Sequence, residues 1–261
     1  MKVCLLLKRP LGDARSPVVN ELAEELQRRN ISLSWILPRS GFIDLNRLTV
    51  DSDLYVFRTS MPLVLSLGSI LHDRGAHLVN SVAASSFVRD KARTTAALMA
   101  AGFPVPKTCF AGDARTAVSG FGNVPIVIKP PHGSGGRGVE VVHTEADIHR
   151  INGGPHFAQT YDRCSPYDLK VFVIDEEVFV VRRQFPALTM EQKHGELCAC
   201  DAAIERLARG VGRLLGLEVF GLDLVESSCG PVIVDVNSCP GLIGVPNAAR
   251  RLANYIAGQV C

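Results

Sequence analysis

Apolar segments and helical patterns alternate along the first eighty residues. Segments rich in apolar residues at 3–7, 31–37, 54–57 and 77–80 predict four short strands. After Ser16 and Pro17, Val18, Leu22 and Leu26 recur at helical spacing, and the apolar segment 62–72 predicts a second helix. Strands that alternate with helices are typical of parallel sheets, so this part is predicted to form a parallel α/β lobe. Trp35 is expected in its core.

The pattern changes after residue 90. A helix is predicted over 90–101 and another over 201–215, while strands are predicted at 126–129, 139–142, 157–161, 169–174, 178–183, 219–225 and 232–237. The turn 175–177 joins two of these strands into a hairpin. The second part of the chain is therefore predicted to be a mixed, hairpin-rich α+β unit.

Composition limits the classes of protein that remain. The chain has 261 residues, of which 47% are hydrophobic and 21% charged, with a net charge of +2. These values exclude a disordered chain, a coiled coil and a collagen-like fibre, and they indicate neither nucleic acid nor membrane as a partner. No apolar segment approaches the ~20 residues that cross a bilayer. The eight cysteines include no CxxC pair, so a reducing, cytoplasmic location is expected.

A glycine-rich segment, Gly133 to Gly138, satisfies the pattern GxGxxG. The segment 139–142 that follows is β-branched, whereas a dinucleotide fingerprint must be followed by a helix, and no Gly-Lys-Ser/Thr sequence completes a P-loop. The remaining hypothesis is a hairpin loop whose backbone N–H groups bind phosphate beside Lys129. The alternative is a solvent-exposed loop that binds no ligand.

Three oxygen-bearing side chains fall on the last two predicted strands. Asp235 and Asn237 are two residues apart and so share one face. If the strands pair across the turn 227–230, Asp223 lies nearly opposite Asp235. Two carboxylates and an amide in an apolar hairpin suit Mg²⁺. The alternative is that the two aspartates are structural and pair with a nearby arginine.

Several motifs occur in the order found in one enzyme superfamily: Arg89-Asp90-Lys91, the segment 126–130, the glycine segment, Asp168-Leu169-Lys170 and the segment 235–241. In this set the chain resembles ATP-grasp enzymes, and in particular RimK-type carboxylate–amine ligases. The resemblance implies an ATP-grasp fold over 89–261, preceded by a small parallel α/β lobe over 1–88. Within the ATP-grasp part it implies a small nucleotide-clamping lobe at about 105–160 and a large catalytic lobe at about 161–261.

The resemblance also implies roles for individual residues. Lys91 and Lys129 would contact ATP phosphates, with Gly133, Ser134, Gly135, Gly136 and Gly138 folded over them, and Gln159, Thr160 and Tyr161 would meet adenine. Asp168 would reach the ribose, Lys170 the phosphate or substrate, and Arg182 and Arg183 the transferred phosphoryl group. Asp223, Asp235 and Asn237 would hold the metal. The implied cofactors are ATP and Mg²⁺, with Mn²⁺ as an alternative metal.

Two enzyme reactions are compatible with these motifs. The first is an ATP- and Mg-dependent ligase that activates a carboxylate as an acyl phosphate and joins it to an amine, with glutamate or a peptide as substrate. The second is a small-molecule kinase, because 169–173, Arg182-Arg183 and Asp235 also resemble inositol 1,3,4-trisphosphate 5/6-kinases. An ATP-binding scaffold without turnover is a third hypothesis. The segment 184–201 departs from the RimK pattern, so the sequence leaves the small-molecule or peptide substrate open, along with the oligomeric state.

Overall fold

The computed structural model of the protein describes residues 1–38, 41–122, 125–130, 132, 138–148, 151 and 156–259. The amino-terminal part contains β1 (Lys2–Leu6), α1 (Pro17–Arg28), β2 (Ser32–Ile36), β3 (Leu54–Phe57), α2 (Pro62–Asp73), β4 (Leu78–Val79), α3 (Val82–Phe87) and α4 (Lys91–Ala100). The four strands form a parallel sheet in the order β2-β1-β3-β4. This arrangement confirms the predicted parallel α/β lobe, to which the structure adds α3.

Alternation along β1 explains why this sheet is covered on both faces. Val3 and Leu5 pack into one cluster with Leu22 of α1. Leu6, on the other face, packs into a second cluster with Leu71 of α2. Successive side chains of a strand point to opposite faces, so a continuous apolar segment requires cover on both.

A smaller antiparallel sheet follows in the chain. Its elements are β5 (Thr108–Ala111), α5 (Ala114–Gly120), β6 (Ile126–Lys129), β7 (Glu140–Val142), α6 (Glu145–Ile148) and β8 (His156–Thr160), with the strands in the order β5-β8-β6-β7. Ile126 and Ile128 join the apolar cluster under α5. Val127 and Lys129 alternate with these two residues and so point to the opposite face, toward a cavity that the five-stranded sheet also lines. β6 and β7 pair antiparallel, as the hairpin hypothesis for the glycine segment requires.

The third sheet is antiparallel and is the largest. Its part of the chain contains β9 (Tyr167–Ile174), β10 (Glu177–Gln184), α7 (Met190–His194), β11 (Glu196–Cys198), α8 (Ala202–Leu215), β12 (Val219–Ser227), β13 (Gly230–Asn237) and α9 (Ala248–Gly258), and the strand order is β11-β10-β9-β12-β13. One face packs against α8, where Val171 and Leu222 meet Ala208 and Val211. Asp201 begins α8 by accepting backbone N–H groups of residues 203 and 204.

The opposite face of this sheet is apolar toward one end and charged toward the other. Toward one end, Phe172 and Ile174 join the cluster of the amino-terminal lobe together with Leu252 of α9. Toward the other end, the same face presents Asp168 and Lys170, because residues 168, 170, 172 and 174 alternate along β9. The fold thus buries half of the face and leaves the charged half beside the small sheet.

Several features differ from the sequence-based expectations, and the elements that were not predicted include β5, α5, α6, α7 and β11. α9 was not predicted, although it packs on α1 and completes the core beneath the first sheet. The expectation that Trp35 lies in the core is wrong, since the residue is 50% exposed. Trp35 belongs to β2, the edge strand of its sheet, where one side has no neighbouring strand to cover it. Within the described residues, no helix is long and apolar enough to span a bilayer.

Candidate active site

A cavity of about 570 Å³ separates the small antiparallel sheet from the charged half of the large one. Most of the residues predicted for the site line it: Lys91, Lys129, Gln159, Thr160, Tyr161, Asp168, Lys170, Asp223, Asp235 and Asn237. These residues come from α4, β6, β8, β9, β12 and β13, except Tyr161, which directly follows β8. The fold therefore brings together positions that are up to 146 residues apart in the chain.

Two carboxylates and two lysines meet at one end of the cavity. Asp223 and Asp235 are direct register partners on β12 and β13, as the sequence predicted. Lys170, the register partner of Asp223 on β9, binds its carboxylate at 2.5 Å. Lys91, at the start of α4, forms an ion pair with Asp235. The aspartates are thus paired with lysines rather than with an arginine.

Lys129 is the third lysine at this end of the cavity, and it is 8% exposed. Its Nζ donates to Gln159 Oε1 at 2.8 Å and to the carbonyl oxygen of Val234 at 3.1 Å. Burial lowers the pKa of Lys129 to about 8, and the nearby charge of Lys91 acts in the same direction. Asp235 opposes the shift only in part. Gln159 offers Lys129 a neutral acceptor, and no carboxylate among the described residues forms an ion pair with this ammonium group.

Much of the remaining lining of the cavity is apolar. It includes Val105, Val127, Val139, Val141, Val225, Val232 and Val234. Thr160 and Tyr161 also line the cavity, and their backbone N–H groups donate to Lys107 O and Pro125 O. A cavity with an apolar lining and a charged end suits a ligand with a flat apolar part and an anionic part.

Asp168 is held by a residue that the sequence analysis did not single out. Arg163 binds the Asp168 carboxylate at 2.6 Å, and its guanidinium lies 4.0 Å from the ring centroid of Phe185. All three residues line the cavity. Arg163 lies in the segment between β8 and β9, where no periodic pattern marks it, although a basic residue five positions before the motif Asp168-Leu169-Lys170 was a local signal.

The expectation that both Arg182 and Arg183 face the site is corrected for Arg182. The two are adjacent on β10, so their side chains point to opposite faces of the sheet. Arg183 pairs in register with Asp168, lies close enough to Asp223 and Asp168 for both to influence its pKa, and donates to Ile243 O at 2.6 Å. Arg182 instead binds Glu196 at 2.7 Å on the other face.

Much of the glycine segment lies outside the described residues, including Gly133, Ser134, Gly135 and Gly136. Gly138 is described and has a φ of +70°. A Cβ at this position would lie 2.9 Å from Pro130 Cγ. The left-handed backbone and the close contact together require glycine where the segment enters β7.

The donor set fits a divalent cation that also takes ligands from phosphate and water. Asn237 lies two residues beyond Asp235 on the same strand, and its Oδ1 accepts a hydrogen bond from Cys239 N at 2.9 Å. The described part of the chain holds no cluster of three or more His, Cys, Asp or Glu side chains that could hold a metal. Two carboxylates and one amide are too few to enclose a metal, but Mg²⁺ is commonly held by one or two carboxylates plus substrate phosphates.

Comparison with known proteins identifies the family. The family model for the RimK-like ATP-grasp domain matches residues 88–257. The chain belongs to the RimK-like ATP-grasp family. A probable alpha-L-glutamate ligase of Legionella pneumophila is 29% identical over 203 residues, which cover 70% of this chain and 67% of that protein. The chain thus spans about two thirds of the length of this relative.

Solved structures share the fold along the whole chain. A RimK domain ATP-grasp protein from Sphaerobacter thermophilus superposes with a TM-score of 0.76 and 20% identity, covering 99% of this chain and 100% of that one. The ATP-grasp ligase PsnB, in complex with a minimal precursor, Mg and ADP, gives 0.73 and 17% identity, with 100% and 97% coverage. The predicted ATP-grasp fold and the predicted activity, ATP-dependent carboxylate–amine ligation, are both confirmed.

Proposed function

We propose that this ligase binds MgATP in the cavity between the two antiparallel sheets and activates a carboxylate substrate there. The main support is the pairing of Asp223 and Asp235, in register, with two lysines at the charged end of the cavity. The adenine would lie against the apolar lining near Gln159, Thr160 and Tyr161, which also line the cavity. The polyphosphate would then extend toward the lysines.

Lys91, Lys129 and Lys170 would bind the phosphates. Two of these lysines, Lys91 and Lys170, form ion pairs with Asp235 and Asp223. When phosphates attract the lysines, the two carboxylates become available as metal ligands. Asp223, Asp235 and Asn237 would then hold Mg²⁺, or Mn²⁺ in its place. The metal would supply a positive charge that stabilises the negative charge of the transferring phosphoryl group.

The reaction has two steps. In the first, a carboxylate oxygen of the acid substrate attacks the γ-phosphorus of ATP, and the bond to the β–γ bridging oxygen breaks to release ADP. In the second, the amine attacks the acyl carbon, loses a proton and expels phosphate. Arg183 is the arginine that we assign to the charge that develops in these steps, because it is the register partner of Asp168, which lines the cavity, and lies within electrostatic reach of Asp223.

Glutamate, free or within a peptide, is the substrate that we propose. The name of the Legionella pneumophila relative, probable alpha-L-glutamate ligase, supports this assignment. We also propose a cytoplasmic location, in keeping with the absence of a membrane-spanning helix among the described residues. Lobe boundaries near residues 88 and 160 are part of the same proposal. They follow the three sheets, which contain strands β1–β4, β5–β8 and β9–β13.

Product analysis tests this function. The protein is incubated with ATP, Mg²⁺ and pooled candidate acids, amines and inositol phosphates, while ADP and free phosphate are followed. A ligase releases one free phosphate per ADP and forms an amide, and hydroxylamine intercepts its acyl phosphate as a hydroxamate. A phosphorylated polyol without free phosphate would instead identify the kinase alternative.

A further inference from the structure

The amino-terminal lobe contacts loop 238–241, which begins where β13 ends. Asn80 Nδ2 donates a hydrogen bond to Ser238 O at 2.9 Å. Arg58 Nη2 donates another to Pro240 O at 3.0 Å. The two donors follow β4 and β3 directly, at the carboxyl ends of these parallel strands. The amino-terminal lobe thus donates hydrogen bonds to two carbonyl groups of loop 238–241, which are two residues apart.

The Asn80 side chain is held firmly in this contact, because it is 2% exposed and its carboxamide is fully hydrogen-bonded. Its Oδ1 accepts from the backbone N–H groups of Glu218 and Val219, both at 2.9 Å. Its Nδ2 donates to Val219 O at 2.6 Å as well as to Ser238 O. A buried amide that loses such bonds pays the full cost of desolvation, so its position is strongly determined.

Arg58 is the second donor in this contact. Arg58 is half-buried, its Nε is enclosed with no hydrogen-bond partner among the described residues, and burial lowers the pKa of Arg58. A buried cation is unfavourable unless it is hydrogen-bonded, which gives the bond to Pro240 O a structural weight that an exposed arginine would not have. Neither Arg58 nor Asn80 lines the cavity in which ATP is proposed to bind.

The segment held by these two bonds orients Asn237. Cys239 lies between Ser238 and Pro240, and its backbone N–H donates to Asn237 Oδ1 at 2.9 Å. An amide oxygen has two lone pairs, so this bond leaves the second one available to a metal while it fixes the direction of the side chain. The orientation of Asn237 therefore depends on the backbone that Asn80 and Arg58 hold.

We propose that Asn80 and Arg58 are positioning residues for the metal ligand Asn237. The proposal rests on the metal site described under the proposed function. Under this proposal the amino-terminal lobe affects metal binding at the ATP site. Asn80 and Arg58 would exert this effect only through loop 238–241. Side chains that orient a metal ligand from outside the coordination shell commonly affect metal affinity.

The test measures how much Mg²⁺ strengthens ADP binding, by calorimetry of ADP with and without the metal. Arg58→Met removes the donors at similar length, and Asn80→Asp keeps the acceptor for Glu218 and Val219 while it loses the donors. We expect each variant to reduce the Mg²⁺-dependent gain in ADP affinity by about tenfold and to leave metal-free ADP binding within about twofold of wild type. Arg58→Lys, which retains a donor, should recover part of the gain.

Arg29→Met is the matched control. Arg29 also reaches across from the amino-terminal lobe, where its Nη2 donates to Asn254 Oδ1 of α9 at 2.7 Å, but this contact does not involve loop 238–241. We expect the control to retain the wild-type gain even if its thermal midpoint falls. A reduced gain in Arg58→Met and Asn80→Asp, but not in the control, separates positioning from a general loss of stability.

Two results would overturn the proposal, and they are distinguishable. If either Arg58→Met or Asn80→Asp is folded and keeps the wild-type gain, the positioning role is wrong while the metal site stands. If wild type shows no gain with Mg²⁺, or Asp235→Asn keeps the gain, the metal site itself is wrong and the positioning role falls with it. Thermal midpoints recorded on the same samples establish which variants are folded.

Discussion

Replacing Lys91 with methionine should change metal binding and nucleotide binding in opposite directions. In the structure Lys91 forms an ion pair with Asp235, a proposed metal ligand. A metal that binds without nucleotide must therefore displace this lysine. Methionine has a similar length and no charge, so the substitution frees the carboxylate for the metal and at the same time removes one cation from the proposed phosphate site.

The size of each effect follows from the surroundings of the pair. The Lys91 side chain is 13% exposed and that of Asp235 is 35% exposed, so water screens part of the attraction. Solvent-accessible ion pairs contribute up to about 1 kcal/mol, which corresponds to about fivefold stronger metal binding without nucleotide. A charged hydrogen bond to phosphate contributes about 1.5–3 kcal/mol, so ADP should bind at least tenfold more weakly.

Mn²⁺ titrations followed by electron paramagnetic resonance, in the absence and presence of ADP, measure both effects. Lys107→Met is the matched control, because Lys107 lines the same cavity but lies over the ring of Phe121 at 5.4 Å. It removes the same charge without releasing Asp235. Unchanged or weaker Mn²⁺ binding by Lys91→Met without nucleotide would refute the competition between lysine and metal.

Further predictions concern Lys129 and Asp235. Lys129→Ala should weaken ATP binding at least tenfold, about 1.4 kcal/mol, in a direct ATP titration; equal affinities would remove Lys129 from the phosphate site. Because burial lowers the pKa of Lys129 to about 8, its charge is lost as the pH rises through 8, and wild-type affinity for ATP should fall between pH 7 and 9. Lys129→Arg should bind with little change over this range, and Gln159→Glu, which places a carboxylate beside Nζ, should move the fall to higher pH. Asp235→Asn should fold but lose ~100-fold or more in turnover, with a smaller loss in ATP binding; a lowered thermal midpoint with unchanged specific activity would contradict the metal role.

Local patterns predicted most of the strands and the placement of the polar residues on the last hairpin. Period two placed Asp235 and Asn237 on one face, and the turn at 227–230 placed Asp223 nearly opposite Asp235. A shift in register between Asp223 and Leu224, which the sequence did not predict, makes the two aspartates direct partners. These relations involve residues that are near in sequence, or joined by one turn. Relations between residues on one strand, or on two strands joined by a recognisable turn, could therefore be predicted from the sequence.

Contacts between distant parts of the chain were not predictable from the same patterns. The ion pair of Lys91 with Asp235 joins residues 144 apart, and the bond of Asn80 to Ser238 joins residues 158 apart. No local period encodes such distances. The error over Arg182 has a different origin, because strand alternation already forbids two adjacent residues from facing one site.

The transfer of oxygen from the acid to phosphate tests the central claim most directly. Glutamate, free or in a peptide, is labelled with ¹⁸O in its carboxyl groups and incubated with ATP, Mg²⁺ and an amine, and the released phosphate is analysed by mass spectrometry. The carboxyl oxygen that attacks the γ-phosphorus becomes bonded to phosphorus. When the amine displaces phosphate from the acyl carbon, this oxygen leaves with the phosphate. The account therefore predicts one ¹⁸O atom in each phosphate released by amide formation. Amide formed with unlabelled phosphate, or phosphate retained on a hydroxyl product, would contradict it.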